Sequence, residues 1–198
     1  MFFGKESGDT VLVGRRRFLT LAGAAATGAV AGTLLPAMPT SGEVFAAVPV
    51  APTKSLSLFN VNTQETLSGT FWKEGAYDGE MLRRLDVLLR DHRANQICHM
   101  DAGLFDILAG IQQRLGNKEP LRVICGYRSS QTNAMARRRS KGVAKESYHV
   151  RGMAVDIAVP NTSLKAIAAA ARDAGAGGIG IYNRSGFVHV DVGPRRSW

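Results

Sequence analysis

A carboxylate stands in the middle of an apolar strand: Asp156, between Val155 and Ile157 in the run Met153 to Val159. Burying an ionised carboxylate is costly unless a cation or several hydrogen bonds compensate it, so the fold must bring a partner to this point. The chain just upstream offers one, because Ser147-Tyr148-His149-Val150-Arg151-Gly152 sets an imidazole across a glycine-containing bend. A second imidazole, His189, lies in another strand-like segment, Gly186-Phe187-Val188-His189-Val190-Asp191-Val192. Two histidines and a carboxylate on adjacent strands are a recurrent ligand set for catalytic zinc, with a fourth position kept for water. His149, Asp156 and His189 are therefore the expected metal ligands. A buried salt bridge from Asp156 to Arg128 or Arg151 is the competing way to compensate the charge.

The other two histidines read differently. His92 sits in the charged helix end Arg90-Asp91-His92-Arg93 and reads as solvated, and His99 reads as a local hydrogen-bonding residue. Cys98 and Cys125 have no Cys-x-x-Cys spacing, which argues against a thiolate site; pairing with each other and remaining free both stay open.

The first 46 residues read as an export signal outside the fold. Arg15-Arg16-Arg17-Phe18-Leu19 precedes a mild Ala/Gly/Thr-rich apolar run to Leu35, and Glu43 to Val48 offers small residues for cleavage after Ala46 or Ala47. This is the pattern of a twin-arginine signal, read by a translocase that moves folded proteins, and the expected location is the periplasm. The run is glycine-rich and broken by Pro36, so no stable membrane span is expected after cleavage. Of the 25 basic and 16 acidic residues, four and three fall in this segment, which leaves 21 against 13 beyond it. The basicity thus belongs to the folded part. The absence of zinc-finger or aromatic single-strand-binding signatures argues against nucleic acid as its partner. Residues 47–54 read as a Pro-rich linker and 55–198 as one domain.

Within that domain strand and helix patterns alternate irregularly. Ser55-Leu56-Ser57-Leu58-Phe59 alternates as a half-buried strand, with Thr66 to Trp72 as its hairpin partner. Asp78, Asp101, Ser129 or Ser130, and Ser163 are placed to cap four helices, and Gly116 to end the second. Leu121 to Cys125 and Met153 to Val159 read as strands, and Ile179 to Tyr182 with Phe187 to Val192 as a closing hairpin. The fold class expected is α+β, a single domain with a mostly antiparallel sheet flanked by helices.

Taken together, Ser147-x-His149-x-x-Gly152-x-Ala154-x-Asp156 and Phe187-Val188-His189-Val190-Asp191 resemble the D-Ala-D-Ala peptidase/hedgehog superfamily of zinc metallopeptidases. Within it, the region after the signal looks like the twin-arginine-exported murein endopeptidases. Ser57-Leu58-Phe59-Asn60, Gly126-Tyr127-Arg128-Ser129, Val143-Ala144-Lys145, Gly177-Gly178-Ile179-Gly180 and Arg196-Ser197-Trp198 extend the likeness. The resemblance implies zinc at His149, Asp156 and His189, a hedgehog/DD-peptidase-like fold, and hydrolysis of peptide cross-links in peptidoglycan. A D-Ala carboxypeptidase or dipeptidase, and a non-catalytic zinc-stabilised wall-binding module, are the alternatives.

The resemblance also implies that Arg128 faces the metal and stabilises the oxyanion, a role suited to a forked, permanently charged guanidinium. A structural pairing with Asp156 or Asp191 is the competing reading. Ser129 and Asn133 are candidates for substrate hydrogen bonds. Two departures from the pattern matter. Gly186 stands where several relatives carry a glutamate base, and Asn62 where relatives often show histidine. Asp191, two residues past His189 and on the same strand face, is then either the general base or a residue that orients a histidine. The basic run Arg137 to Lys141 reads as a solvated helix end that adds general attraction to an anionic polymer.

Overall fold

The computed structural model describes residues 52–116, 118–140 and 142–198. The polar–apolar alternation at the start becomes strand β1 (Thr53–Asn60), which buries Leu56 and Leu58 and turns Ser55 and Ser57 outward. Strand β2 (Thr66–Lys73) folds back on it antiparallel, and the outward face is tied by Ser57 Oγ to Ser68 Oγ at 2.6 Å. Thr53 and Lys54, read from sequence as the end of the linker, are strand residues paired with Lys73 and Trp72. The expected export signal and its cleavage site lie outside the described residues.

Among the described residues, four helices start where a short polar side chain satisfies exposed backbone N–H groups. Asp78 caps α1 (Gly79–Leu88), Asp101 caps α2 (Ala102–Leu115), Ser129 caps α3 (Ser130–Arg139) and Ser163 caps α4 (Leu164–Asp173). Each such cap is worth about 1 kcal/mol. Helix α2 buries Leu104, Leu108 and Ile111, and α4 buries Ile167 and Ala171; the two pack on each other and on the sheet. Helix α3 has no apolar stripe and buries only Thr132 and Asn133.

The sheet has eight strands in the order β3-β2-β1-β4-β5-β7-β6-β8. The remaining members are β3 (Ala76–Tyr77), β4 (Leu121–Cys125), β5 (Ala154–Ala158), β6 (Gly178–Tyr182), β7 (Phe187–Asp191) and β8 (Arg196–Ser197). The α+β single-domain class holds, but the sheet is mixed: β1 with β4 and β6 with β8 run parallel, and the other five pairings are antiparallel. The β1–β4 pairing arises because α1 and α2 intervene, a connection long enough to return the chain in the same direction.

Cross-strand rows divide the sheet's labour. Val155, Val190 and Ile179 are neighbours on one face, as are Ile157, Val188 and Ile181, and these rows carry the core. The intervening rows, Asp156–His189–Gly180 and Ala154–Asp191–Gly178, face the other way. Side chains alternate along a strand, so a polar site and an apolar core share the same three strands without mixing.

Candidate metal centre

The sheet places Asp156 directly opposite His189, and the third group arrives from a short 3-10 helix, Tyr148–Arg151, that precedes β5. Ser147 Oγ accepts from His149 N at its start, and Gly152 ends it at φ +68°. A Cβ on Gly152 would also stand 2.7 Å from the carbonyl oxygen of His99, so both conformation and space require glycine there. This turn aims the His149 ring back over β5.

The three donor atoms form a small triangle. His149 Nε2 lies 3.2 Å and His189 Nδ1 2.9 Å from Asp156 Oδ1, and the two nitrogens are 3.2 Å apart. Donors about 2 Å from one tetrahedral zinc ion stand roughly 3.3 Å from each other, so the spacing fits the ion. The far side of each ring fits as well. His149 Nδ1 is 2.8 Å from the Gly126 carbonyl oxygen, and His189 Nε2 is 2.9 Å from Asp191 Oδ2. Both partners are acceptors, so these nitrogens carry the protons and the opposite lone pairs point into the triangle.

Charge makes the same demand. Burial pushes the Asp156 carboxyl up, but the imidazoles of His149 and His189 outweigh it and hold the group well below the usual carboxylate range. Burial likewise disfavours a charged His149, yet the Asp156 carboxylate and then Cys125 raise it well above the ordinary imidazole value. The triangle therefore needs positive charge among its donors. Protons supply it in the bare chain, and a divalent cation meets the need in one particle. The competing salt bridge does not form: the ionic partners of Asp156 are the two histidines, and neither Arg128 nor Arg151 pairs with it.

Asp191 is placed behind His189 and does not face the open side. It is fully buried, and its Oδ1 accepts from Gly178 N, Gly193 N and Arg196 Nη1 while Oδ2 accepts from Arg196 Nη2 and His189 Nε2. Burial raises its pKa, but these donors, led by His189 and Arg196, hold it well below the usual range. A Cβ on Gly178 would fall 2.2 Å from Asp191 Oδ2, so that glycine makes room for the carboxylate. Of the two roles open to Asp191 from sequence, the geometry is that of the residue that orients a histidine, not of a base.

A cleft of about 610 Å³ opens over the triangle, with Arg128, Glu146, Tyr148, Tyr182, Phe187 and Trp198 among its walls. Arg128 reaches it, held by Nη1 to Asn133 Oδ1 at 3.3 Å and Nη2 to Cys125 Sγ at 3.4 Å rather than by Asp156 or Asp191. Ser129 and Asn133 do not line the cleft. Ser129 is buried because its Oγ accepts from Thr132 N as the α3 cap, and its own N–H donates to the buried Asp91. Asn133 is buried between Arg128 and the carbonyls of Ala144 and Lys145, so it positions the arginine and the loop beside it. Sequence reasoning read both as substrate contacts; their hydrogen bonds are already used internally.

The aromatic wall went unassigned from sequence. Trp198 lies 5.4 Å from the His189 ring and donates Nε1 to Tyr182 OH, and Tyr182 stacks on Phe187 at 4.6 Å. Arg196 sits between the Tyr148 and Trp198 rings while gripping Asp191. The terminal Arg196-Ser197-Trp198 was a visible motif, but only its pairing as β8 reveals what it supports. Cys98 and Cys125 are free thiols, not a disulfide, and against the expectation from their spacing Cys125 falls in a group with His149 and Asp156 that could hold a metal ion. His99 bonds Asp86 at 2.9 Å, His92 lies in a turn beyond α1, and Asn62 bonds the Ile124 carbonyl; none of the three belongs to the triangle. No helix among the described residues is long and apolar enough to cross a membrane.

Comparison with known proteins adds an independent line. Residues 48–198 match the model of peptidase family M15_2, described as peptidoglycan L,D-endopeptidase MepK. A probable peptidoglycan L,D-endopeptidase MepK of Haemophilus influenzae is 41% identical over 185 residues, 93% of this chain and 95% of that protein. The peptidoglycan L,D-endopeptidases MepK of Escherichia coli K12 and Shigella flexneri are each 41% identical over 184 residues, 93% of this chain and 96% of theirs.

Proposed function

From the premise that this chain belongs to peptidase family M15_2, the peptidoglycan L,D-endopeptidase MepK family, we propose that it is a zinc-dependent murein endopeptidase that hydrolyses peptide cross-links of peptidoglycan. The observation that carries the reading is the triangle of His149 Nε2, Asp156 Oδ1 and His189 Nδ1, with edges of 2.9–3.2 Å on the wall of an open cleft. These three residues would hold zinc, which when bound supplies Lewis acidity at a scissile carbonyl and an activated water.

The chain's own groups divide the remaining work. Gly126 and Asp191 fix the two rings, so the donors stay aimed without reorganising during a reaction. Arg128, positioned by Asn133, presents a guanidinium to the charge that develops on the carbonyl oxygen. Tyr148, Tyr182, Phe187 and Trp198 offer apolar walls to the peptide. With Asp191 engaged and Gly186 lacking a side chain, Glu146 is, among the described residues, the carboxylate that lines the cleft outside the triangle and is the candidate for moving the proton. A Glu146→Gln chain that keeps full activity removes it from that role.

The test is digestion of purified sacculi with the products identified by mass. Monomers released from cross-linked dimers support the endopeptidase, free D-Ala supports a carboxypeptidase, and binding without product supports a wall-binding module. His149→Ala and His189→Ala abolish release under this reading; undiminished hydrolysis in metal-free His149→Ala overturns it. We also propose twin-arginine export to the periplasm, on the strength of Arg15-Arg16-Arg17-Phe18-Leu19 and the apolar run after it. Replacing Arg16 and Arg17 by Lys tests this, and undisturbed delivery to the periplasm counts against it.

A further inference from the structure

We propose that Cys125 is a fourth protein ligand of the same ion and caps the site in its resting state, an inference that rests on the metal reading above. The thiol reaches the site through an irregularity in β4. Val123 pairs with Ile157, but the register then slips, so that Cys125 and not Ile124 stands opposite Asp156. A bulge of this kind re-aims a side chain, and here it exchanges an isoleucine for a cysteine on the row that holds Asp156 and His189. The Sγ lies in one group with a ligand atom each of His149 and Asp156, all within 4.8 Å of one another; His189 is not in that group and joins it through Asp156 Oδ1, 2.9 Å from its Nδ1. The next residue, Gly126, supplies the carbonyl that fixes the His149 ring, so Cys125 and His149 are held by the same two-residue stretch.

Thiolate is a strong zinc ligand, and a site closed by four protein donors is the usual structural arrangement, whereas hydrolysis needs one position open. With Sγ as the fourth donor, the site binds zinc tightly and excludes water from it. Moving Sγ off the ion restores the open position, and Arg128 Nη2, already 3.4 Å from the sulfur, is the cation that receives it. Cys125 is thus placed to govern access to the centre, and Arg128 couples that access to the cleft.

X-ray absorption at the zinc edge of the loaded full chain tests the proposal without reference to activity. One sulfur neighbour at about 2.3 Å, lost in Cys125→Ser and retained in Cys98→Ser, is the expected result. A shell of nitrogen and oxygen alone, or a sulfur that persists in Cys125→Ser, overturns the cap and leaves the three-donor centre standing. Failure of the wild-type chain to take up zinc removes the centre itself and the cap with it. A second readout avoids any dependence on how Cys125→Ser folds. In a Cys98→Ser chain, zinc should protect the remaining thiol from iodoacetamide and chelation should expose it; equal alkylation in both states counts against the cap.

Discussion

Replacing Asp191 by Asn keeps the side chain's shape but removes its charge and converts one acceptor into a donor facing Arg196 and His189. If Asp191 orients His189, zinc affinity falls by about 10–100-fold and hydrolysis falls with it. If Asp191 instead moved the proton, hydrolysis would vanish while zinc affinity stayed at the wild-type level, so titration with a zinc chelator separates the two. The imidazoles give a second prediction at this scale. In the metal-free chain burial opposes protonation of His149 and His189, but Asp156 outweighs it and both pKa values rise above 6.5. A raised value means the protonated rings stabilise the fold fully below pH 6.5, and that stability is lost as pH climbs through the raised values. The Tm of the apo protein should therefore fall as pH increases above 6.5, while the zinc-loaded protein does not follow, so the gap between them widens with pH. A gap that narrows with rising pH contradicts the cluster's electrostatics.

At the scale of the element, the 3-10 turn is the joint on which the site depends. Gly152→Ala must hold a left-handed backbone at a cost of about 1–2 kcal/mol, and its Cβ would press the His99 carbonyl at 2.7 Å. The expected outcome is a loss of at least that much stability by denaturant titration, together with weaker zinc binding as His149 shifts. An unchanged midpoint would mean the turn is not under this constraint. Much of this architecture was legible in the chain. Asp78, Asp101, Ser129 and Ser163 announce their helices because a cap is a local interaction, and Asp156 announces a site because a carboxylate between Val155 and Ile157 has no apolar explanation. What was not legible depends on pairing across long stretches of chain. The slip that turns Cys125 toward Asp156, the parallel β1–β4 contact and the two-residue β8 that brings Arg196 to Asp191 leave no periodic trace. The internal hydrogen bonds of Ser129 and Asn133 were not legible for the same reason: their partners Asp91, Ala144 and Lys145 lie elsewhere in sequence.

Across the whole molecule, the excess of basic residues beyond residue 46 gives a positive field, which under the proposed function would draw the chain to an anionic polymer. Arg137, Arg138 and Arg139 are exposed at the end of α3, and Ser140 and Gly142 just beyond them already border the cleft. Association with isolated sacculi should weaken steeply with salt, since screening shortens from about 10 Å at 0.1 M to about 3 Å at 1 M. Salt-independent association would place recognition in the aromatic walls alone. The claim beneath all of this is that residues from a turn and two strands act as one centre for one ion. Native mass spectrometry of the purified protein measures it most directly. One zinc per wild-type chain, and none in a folded His149→Ala/His189→Ala chain, is the predicted result; a full zinc complement in that double variant, or a wild type with none, would contradict it.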